Sequence, residues 1–342
     1  MNTSVAIDRD TKLLNAIKPI LSAEVYAGLA NFVIYSLLVV GTIGIVANIL
    51  VIITCAKIGF SETINISYLT LGISDLILSA IRTYGALLFV FDMTKTDVNF
   101  DPTSVSVTTV FYPGQGFEKT TAFITAFIAL ERCLCVQFPL HVKRYVTKRK
   151  TILYFVVIFL VAFGPSNLSF LVFPFKWVFI PEQNRTILTV VSVQTSYRYI
   201  VSRALYAYYG TILHFTALII VWICTILLAI GMKRKIDSRK ETFKHSNAKE
   251  DRQKDRRVIK TVFLIAVTYL ACSIPTAATL LVPHFVPEFA ASRGLARLSN
   301  VCHIFSALLT QFNSTANIII FIYMGSKFRE AFLSLFGKHS SI

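Results

Sequence analysis

Long apolar stretches separated by shorter polar ones dominate the chain. Seven are long enough to cross a hydrocarbon core, which takes roughly 20 mostly apolar residues. They are Phe32–Ala56, Ile66–Phe91, Phe117–Phe138, Ile152–Phe175, Tyr206–Met232, Val258–Val282 and Leu298–Met324. No water is present in that core to satisfy the backbone, so each run is expected to be helical. The third is the most polar at its start, where Glu118 and Lys119 lie. After the seventh, Phe328, Phe332, Leu335 and Phe336 recur at helical spacing with charges between them. That pattern predicts an amphipathic helix lying on the inner membrane face. The expected fold is an all-α membrane protein, a seven-transmembrane-helix bundle followed by a short amphipathic helix. The expected division is an extracellular segment 1–31, a membrane domain 32–324 and a cytoplasmic helix and tail 325–342.

Composition agrees with lipid as the solvent. Of 342 residues, 55% are hydrophobic and only 15% charged, too little charge for a soluble surface of this size. The net charge of +16 falls in the connections between apolar runs, which points to a membrane surface and away from nucleic acid. Lys and Arg cluster at Lys143, Arg144 and Lys148–Lys150, through Lys233–Arg257, and at Lys327, Arg329 and Lys338. These connections share one side of the membrane if the amino terminus is outside. The opposite connections offset few basic residues with Asp92, Asp97, Asp101, Glu182 and Glu288. The positive-inside rule then predicts an extracellular amino terminus. The sequons at Asn2 and Asn184 both fall outside in this topology, as candidate glycosylation sites. Those at Asn65 and Asn313 fall inside and within a span, and should not be used. The first thirty residues lack an apolar core with a small-residue cleavage site, so the first span is expected to target the chain itself. The six cysteines fit no zinc pattern, and none follows the amphipathic helix to carry a palmitoyl anchor.

Polar groups inside spans are costly and mark function by default. Asn48 lies in the first span and Asp75 in the second. Glu131 and Arg132 end the third, Pro275 interrupts the sixth, and Asn313 and Asn317 lie in the seventh. Each asparagine alone could be interhelical glue, and Arg132 alone a snorkelling interfacial charge.

Taken in order, these residues resemble the rhodopsin-like G-protein-coupled receptors, from Asn48 to Phe332. Asn48 and Asp75 match the first-helix asparagine and second-helix aspartate. Glu131-Arg132-Cys133 is similar to the acidic–Arg–aromatic motif. Pro139-Leu140 is similar to the second inner loop, where the apolar residue plugs into the G protein. Asn317-Ile318-Ile319-Ile320-Phe321 resembles Asn-Pro-x-x-Tyr with both Pro and Tyr replaced. The stretches Asn313–Asn317 and Met324–Arg329 look most like invertebrate neuropeptide receptors, and also like gastropod chemosensory receptor-like sequences.

The departures from that family are specific. No cysteine is placed to tie the third helix to the second outer loop. Ser273 stands where the sixth-helix tryptophan is usual, and the fourth-helix tryptophan and fifth-helix proline are missing. Gln311 aligns with the lysine that carries retinal, which excludes a Schiff base. Gly114 aligns with the aspartate that pairs amines, which argues against a biogenic amine.

The resemblance implies a receptor that binds an extracellular ligand and activates a heterotrimeric G protein. A peptide is the first expectation and a chemosensory cue the second. A transporter or channel is the alternative from another class. It would need a polar pathway through both halves of the bundle, and the sequence contains no inverted repeat. No nucleophile–base pair or metal cluster lies in a span, so an enzyme is not expected.

Three constellations follow. At the inner face, Arg132 is expected to pair with Glu131. The resemblance also sets Asp255, twenty residues before Pro275, against Arg132, although Asp255 reads equally well as a solvated loop charge. At the centre, Asn48, Asp75, Thr121, Asn313, Ser314 and Asn317 are expected around one polar cavity. The family implies an allosteric sodium ion there, as suits oxygen ligands; a protonated Asp75 is the competing reading. Otherwise no cofactor is expected. Nearer the outside, Arg82 lies two turns beyond Asp75, and Glu118 about four turns before Arg132, so both point inward. Lys119, one step on, is expected to turn away. Arg82 and Glu118 are either a structural pair or the ligand site, with Tyr84, Gln115, Tyr206, His303 and Gln311 around them.

Overall fold

Backbone hydrogen bonding without water leaves helices as the way across, and seven helices long and apolar enough to cross a membrane are present among the described residues. The computed structural model describes residues 20–94, 98–138, 142, 145–181, 184–190, 195–237, 248–289, 295–324 and 326–337. The spans are α1 (Ala23–Ile58), α2 (Thr63–Met93), α3 (Pro102–Gln137), α4 (Lys148–Val172), α5 (Ser196–Gly231, its helix continuing to Asp237), α6 (Ala248–Phe285) and α7 (Ala296–Met324). The amphipathic helix is α8 (Ser326–Leu333). The start of α1, the β-hairpin between α4 and α5 and the start of α7 share one end of the bundle, here the hairpin end. The α8 end is the tail end.

Most boundaries extend beyond the apolar runs. Helix α1 begins at Ala23, where the Ser22 side chain accepts from the Val25 N–H, so it reaches into the segment expected to precede the membrane domain. Helix α3 begins at Pro102, fifteen residues before the expected Phe117. Proline suits a first helical position, where no N–H is required. The following Ser, Thr and Tyr carry no charge, so helix continues where hydropathy is weak. The polar block 233–257, read as a loop, is helical over 233–237 and 248–257. Lys, Arg, Glu and Gln are good helix formers and extend both helices beyond the membrane. A π-helical stretch interrupts α3 at Val107–Phe111 and α5 at Ala207–Leu213.

One continuous apolar core fills the tail half, with Val51, Leu71, Ile124, Ile128, Leu228, Ile265 and Phe321 fully or almost fully buried. Helix α3 runs through the middle. Gly116, Phe117, Lys119, Thr120, Thr121 and Ala122 are buried on all sides of it, and only further on do Phe123, Phe127 and the exposed Leu130 form an outward stripe. Helices α1, α2 and α7 meet closely at Gly44, where an added Cβ would lie 2.7 Å from Thr315 Oγ1. Large apolar residues such as Val39, Val46, Leu160, Trp222 and Phe312 face outward, as a lipid solvent permits. At the tail end an aromatic ladder joins α2, α7 and α8. Tyr68 and Phe321 lie 4.4 Å apart between ring centroids, Phe321 and Phe328 5.4 Å, and Phe332 and Phe336 5.3 Å. Lys327 adds an exposed ion pair to Glu62 at 2.5 Å.

At the hairpin end, β1 (Phe175–Ile180) and β2 (Arg185–Val190) form an antiparallel hairpin with Phe175 opposite Val190. The sequence left open what holds this segment without a disulfide. The backbone does so. The Leu188 N–H donates to the Asn99 carbonyl at 2.9 Å, and the Asp101 N–H donates to the Leu188 carbonyl at 2.8 Å. Leu188 thus bridges both neighbours of Phe100 in parallel pairing. Asp101 then leads directly into α3, and its carboxylate accepts from Thr189 Oγ1 at 3.4 Å and from Ser104 Oγ.

This register can be checked by cross-linking. Paired strands lie about 4.8 Å apart, inside the roughly 4.4–6.8 Å window between Cα atoms that a disulfide requires. Phe100→Cys with Leu188→Cys is expected to oxidise spontaneously, read as loss of free-thiol labelling. Phe100→Cys with Ile187→Cys is expected to stay reduced, because Ile187 points to the other face. Cross-linking of the second pair alone would mean a different register.

Candidate functional site

Four buried ionisable side chains meet in the hairpin half of the bundle. From α2, Arg82 donates through Nη2 to Glu118 Oε2 at 2.5 Å and through Nη1 to the Ala307 carbonyl on α7. Lys119 Nζ lies 2.6 Å from Glu118 Oε1. It also donates to His214 Nδ1 on α5 at 3.2 Å. Each Glu118 oxygen therefore serves one cation. A cavity beside this group is lined by Leu78, Glu118, Lys119, Thr121, Ala122, His214, Tyr269, Ser273, Thr310 and Asn313. It draws on α2, α3, α5, α6 and α7.

Lys119 corrects the sequence reading. It does not turn away; it is 1% exposed. A helix surrounded on all sides has no outward face at this depth, so adjacent residues both point into protein. The cost of an unpaired charge in a membrane, about 3 kcal/mol even on permissive scales, placed Glu118 inside. The same cost applies to Lys119, and that was the signal available in the sequence. His214, Tyr269, Ser273 and Thr310 were not singled out as pocket residues at all. Their types are common in spans, and only the packing brings them to one place.

The other residues expected near the ligand disperse. Tyr84 follows Arg82 by two residues, about 200° around the helix. It lies with Ile73, Leu87 and Phe91 on the exposed stripe of α2. Tyr206 is also exposed, at 46%, whereas Leu205, Tyr209 and Leu213 are buried. Their four-residue spacing matches the wider turn of the π-helical stretch, which offers Tyr209 to the interior in place of Tyr206. Gln311 is fully buried but turned toward α2, donating to Ser79 Oγ at 2.9 Å. Gln115 and His303 are half-buried.

One layer toward the tail end lies the central polar group. Asp75 is fully buried. Its Oδ1 accepts from Thr121 Oγ1 at 3.1 Å, and its Oδ2 from Asn317 Nδ2 at 2.8 Å. Ser74 Oγ joins Thr121 Oγ1 at 2.8 Å. Ser314 Oγ reaches the Asp75 carbonyl at 3.4 Å, and Asn48 Nδ2 the Ser314 carbonyl at 3.5 Å. Asn313 lines the cavity described above. Two amide oxygens, Asn313 Oδ1 and Asn317 Oδ1, are buried without a hydrogen-bond partner.

At the tail end Glu131 is 2% exposed. Its Oε1 accepts from Thr63 Oγ1 at 2.6 Å and from Arg132 Nη2 at 3.3 Å. The Thr63 contact, from α2, was not anticipated. Pro275 lies inside α6, and without an N–H it leaves the Ala271 carbonyl short of its usual partner. Phe321 is buried in the aromatic ladder. Asn184 sits between β1 and β2 with φ of 46°, a left-handed conformation that asparagine tolerates. Asn2, Pro139 and Leu140 lie outside the described residues, as does the side chain of Asp255.

Comparison with known proteins agrees with this architecture. Residues 34–339 match a family model described as serpentine type 7TM GPCR chemoreceptor Srw. The chain is also 24% identical to human (Homo sapiens) neuromedin-U receptor 2 over 298 residues, covering 85% of this chain and 68% of that one. It is 25% identical to the mouse (Mus musculus) neuromedin-U receptor 2 over 308 residues, covering 88% and 73%.

The Glu118 arrangement makes the two cations unequal to their shared partner. Glu118→Gln leaves both buried without a counter-charge and is expected to cost about 3–5 kcal/mol. Lys119→Met removes only the second cation and is expected to cost far less. Thermal melts of the detergent-solubilised variants check this, with Glu118→Gln melting well below Lys119→Met. Equal melting temperatures would mean that the ion group does not hold the bundle. Exchanging the Arg82 and Glu118 charges is not expected to rebuild it, because a carboxylate would face the Ala307 carbonyl and a guanidinium would face Lys119.

Proposed function

We propose that this chain, which belongs to the serpentine 7TM G-protein-coupled chemoreceptor family Srw, binds an extracellular peptide at its hairpin half and activates a heterotrimeric G protein at its tail end. That family is one of receptors, not enzymes. The protein is a multi-pass membrane protein. We place it in the plasma membrane with its amino terminus and hairpin outside. The concentration of Lys and Arg in the tail-end connections supports that orientation.

The observation that carries the reading is the course of α3. One helix supplies Glu118 and Lys119 to the hairpin-half cavity, Thr121 to the central polar group, and Glu131 and Arg132 to the tail end. A ligand that binds one arrangement of α3, α5 and α6 better than another therefore shifts the tail end with it. Pro275 gives α6 a break in its hydrogen-bond ladder where such a shift concentrates. Release of Arg132 from Glu131 frees it for the G protein. Glu131 is buried and the Arg132 side chain 16% exposed, and a difference of only about 1 kcal/mol between the paired and released states changes a two-state population about fivefold. The likeness to neuromedin-U receptors supports a peptide. The chemoreceptor description of the family supports a small chemosensory cue as the second reading.

The central group suits a hard cation. The Asp75 carboxylate, the Ser74, Thr121 and Ser314 hydroxyls, and the unpartnered Asn313 and Asn317 oxygens are all oxygen donors. In our reading these residues hold sodium.

Two measurements test these assignments. In cells carrying promiscuous G proteins, a peptide from a library is expected to evoke a response that Arg132→Ala abolishes at equal surface expression. A response confined to small chemosensory compounds would favour the second reading. Nucleotide exchange absent under every stimulus, and unchanged in Glu131→Gln, would remove the signalling role. Separately, sodium in place of choline at constant ionic strength is expected to raise the melting temperature by about 2 °C or more. Asp75→Asn should erase that rise. No rise in the wild type would support a protonated Asp75 instead.

A further inference from the structure

The ion group beside the cavity carries more positive than negative charge, although the lining itself holds one of each, Lys119 and Glu118. Arg82 and Lys119 bring two cations, and Glu118 brings one carboxylate whose two oxygens are both engaged. Asp75 does not make up the difference by contact, since its oxygens are taken by Thr121 and Asn317. An ammonium has three N–H donors and no acceptor. Lys119 uses one on Glu118 and one on His214 Nδ1, which leaves a third.

His214 adds a second, independent observation. Lys119 can only donate, so Nδ1 must be the accepting nitrogen and the ring proton must sit on Nε2. That Nε2–H is buried in a residue 3% exposed, and its one acceptor is the Ser273 carbonyl, at poor hydrogen-bonding geometry. Ser273 is itself a lining residue. A poorly paired donor and a cation that shares its counter-charge are each expensive at this depth in a membrane. A single acceptor bearing a negative charge satisfies both.

We infer that Lys119 and His214 form the seat for a carboxylate group of the ligand. This deepens the receptor reading above and rests on it. The cavity is small, with about 20 Å³ open to a water-sized group. It has room for the carboxylate group alone, with the rest of the acid or peptide in the mouth. Lys119 Nζ supplies the charge-assisted bond and His214 Nε2 a second donor, while Arg82 remains committed to Glu118 and the Ala307 carbonyl. The ligand is therefore an acid at the end that enters the bundle, either a free carboxylate of a peptide or a small organic acid. An amide or an ammonium in the same place would leave the surplus charge unmatched.

The test uses the full chain purified in detergent, with propionate as the probe and chloride and ionic strength held constant. Propionate is expected to raise the melting temperature saturably, and propionamide is not. Lys119→Met is expected to weaken the half-saturating concentration at least tenfold. If that variant does not fold, His214→Phe serves, with a loss of about tenfold expected. An equal effect of propionamide, an equal effect of added chloride, or an undiminished effect in the folded variants would overturn the seat. Hippurate, a short acylated glycine with a free carboxylate, is the second probe. Tighter binding of hippurate than of propionate would assign the carboxylate to a peptide end, and the reverse order to a small acid. Guanine-nucleotide exchange by a heterotrimeric G protein added to the same preparation keeps the two readings apart. Exchange without propionate stabilisation removes the carboxylate seat alone. Stabilisation without exchange removes the signalling role and leaves the seat standing.

Discussion

Glu118 holds two cations, one on each carboxylate oxygen, at a depth where the surrounding solvent is hydrocarbon. Arg82 reaches it from α2 and donates its remaining arm to α7. Lys119 turns from it to His214 on α5. One carboxylate therefore determines how four helices approach in the hairpin half. Apolar contact alone discriminates poorly there, because lipid tails are as apolar as leucine. The tail half differs. It has a continuous apolar core and an aromatic ladder, and its polar contacts lie toward the edge.

The position of α3 follows from the same constraint. A helix that carries Glu118, Lys119 and Glu131 cannot present any of them to lipid without a large cost. It must be enclosed, and the other helices arrange around it. The enclosed helix then connects three polar layers, of which the two nearer the hairpin end share Thr121. Hydrogen bonds run between neighbouring helices within each layer, and α3 is the rigid element common to all of them.

Much of the fold was legible in the sequence because hydropathy reports lipid exposure directly. Seven runs marked the seven spans, and polar residues within them marked the bundle interior. Thr121 could be set on the inward face by counting turns from Arg132, since helical periodicity is exact enough over a few turns, while Asp75, Ser314 and Asn317 were joined to it by the resemblance to the rhodopsin-like receptors. Counting failed where the local geometry was not α-helical or where the helix had no outer face. Tyr206 stands at the edge of a π-helical stretch, so Tyr209 takes the inward place. Tyr84 was set around Arg82, but two residues along a helix is the opposite side. Lys119 was judged by rotation from Glu118, although α3 is enclosed on all sides at that level. The hairpin was not legible, because its pairing depends on backbone groups that every residue carries.

That hairpin is tied to the start of α3 by two peptide hydrogen bonds through Leu188. No sulfur takes part, and all six cysteines are free thiols. A reductant has nothing to cut at this cap. Water does, since a bridge of this kind opens and closes by exchanging its partners for solvent. The tie between the hairpin and α3 is thus a matter of equilibrium, renewed continually.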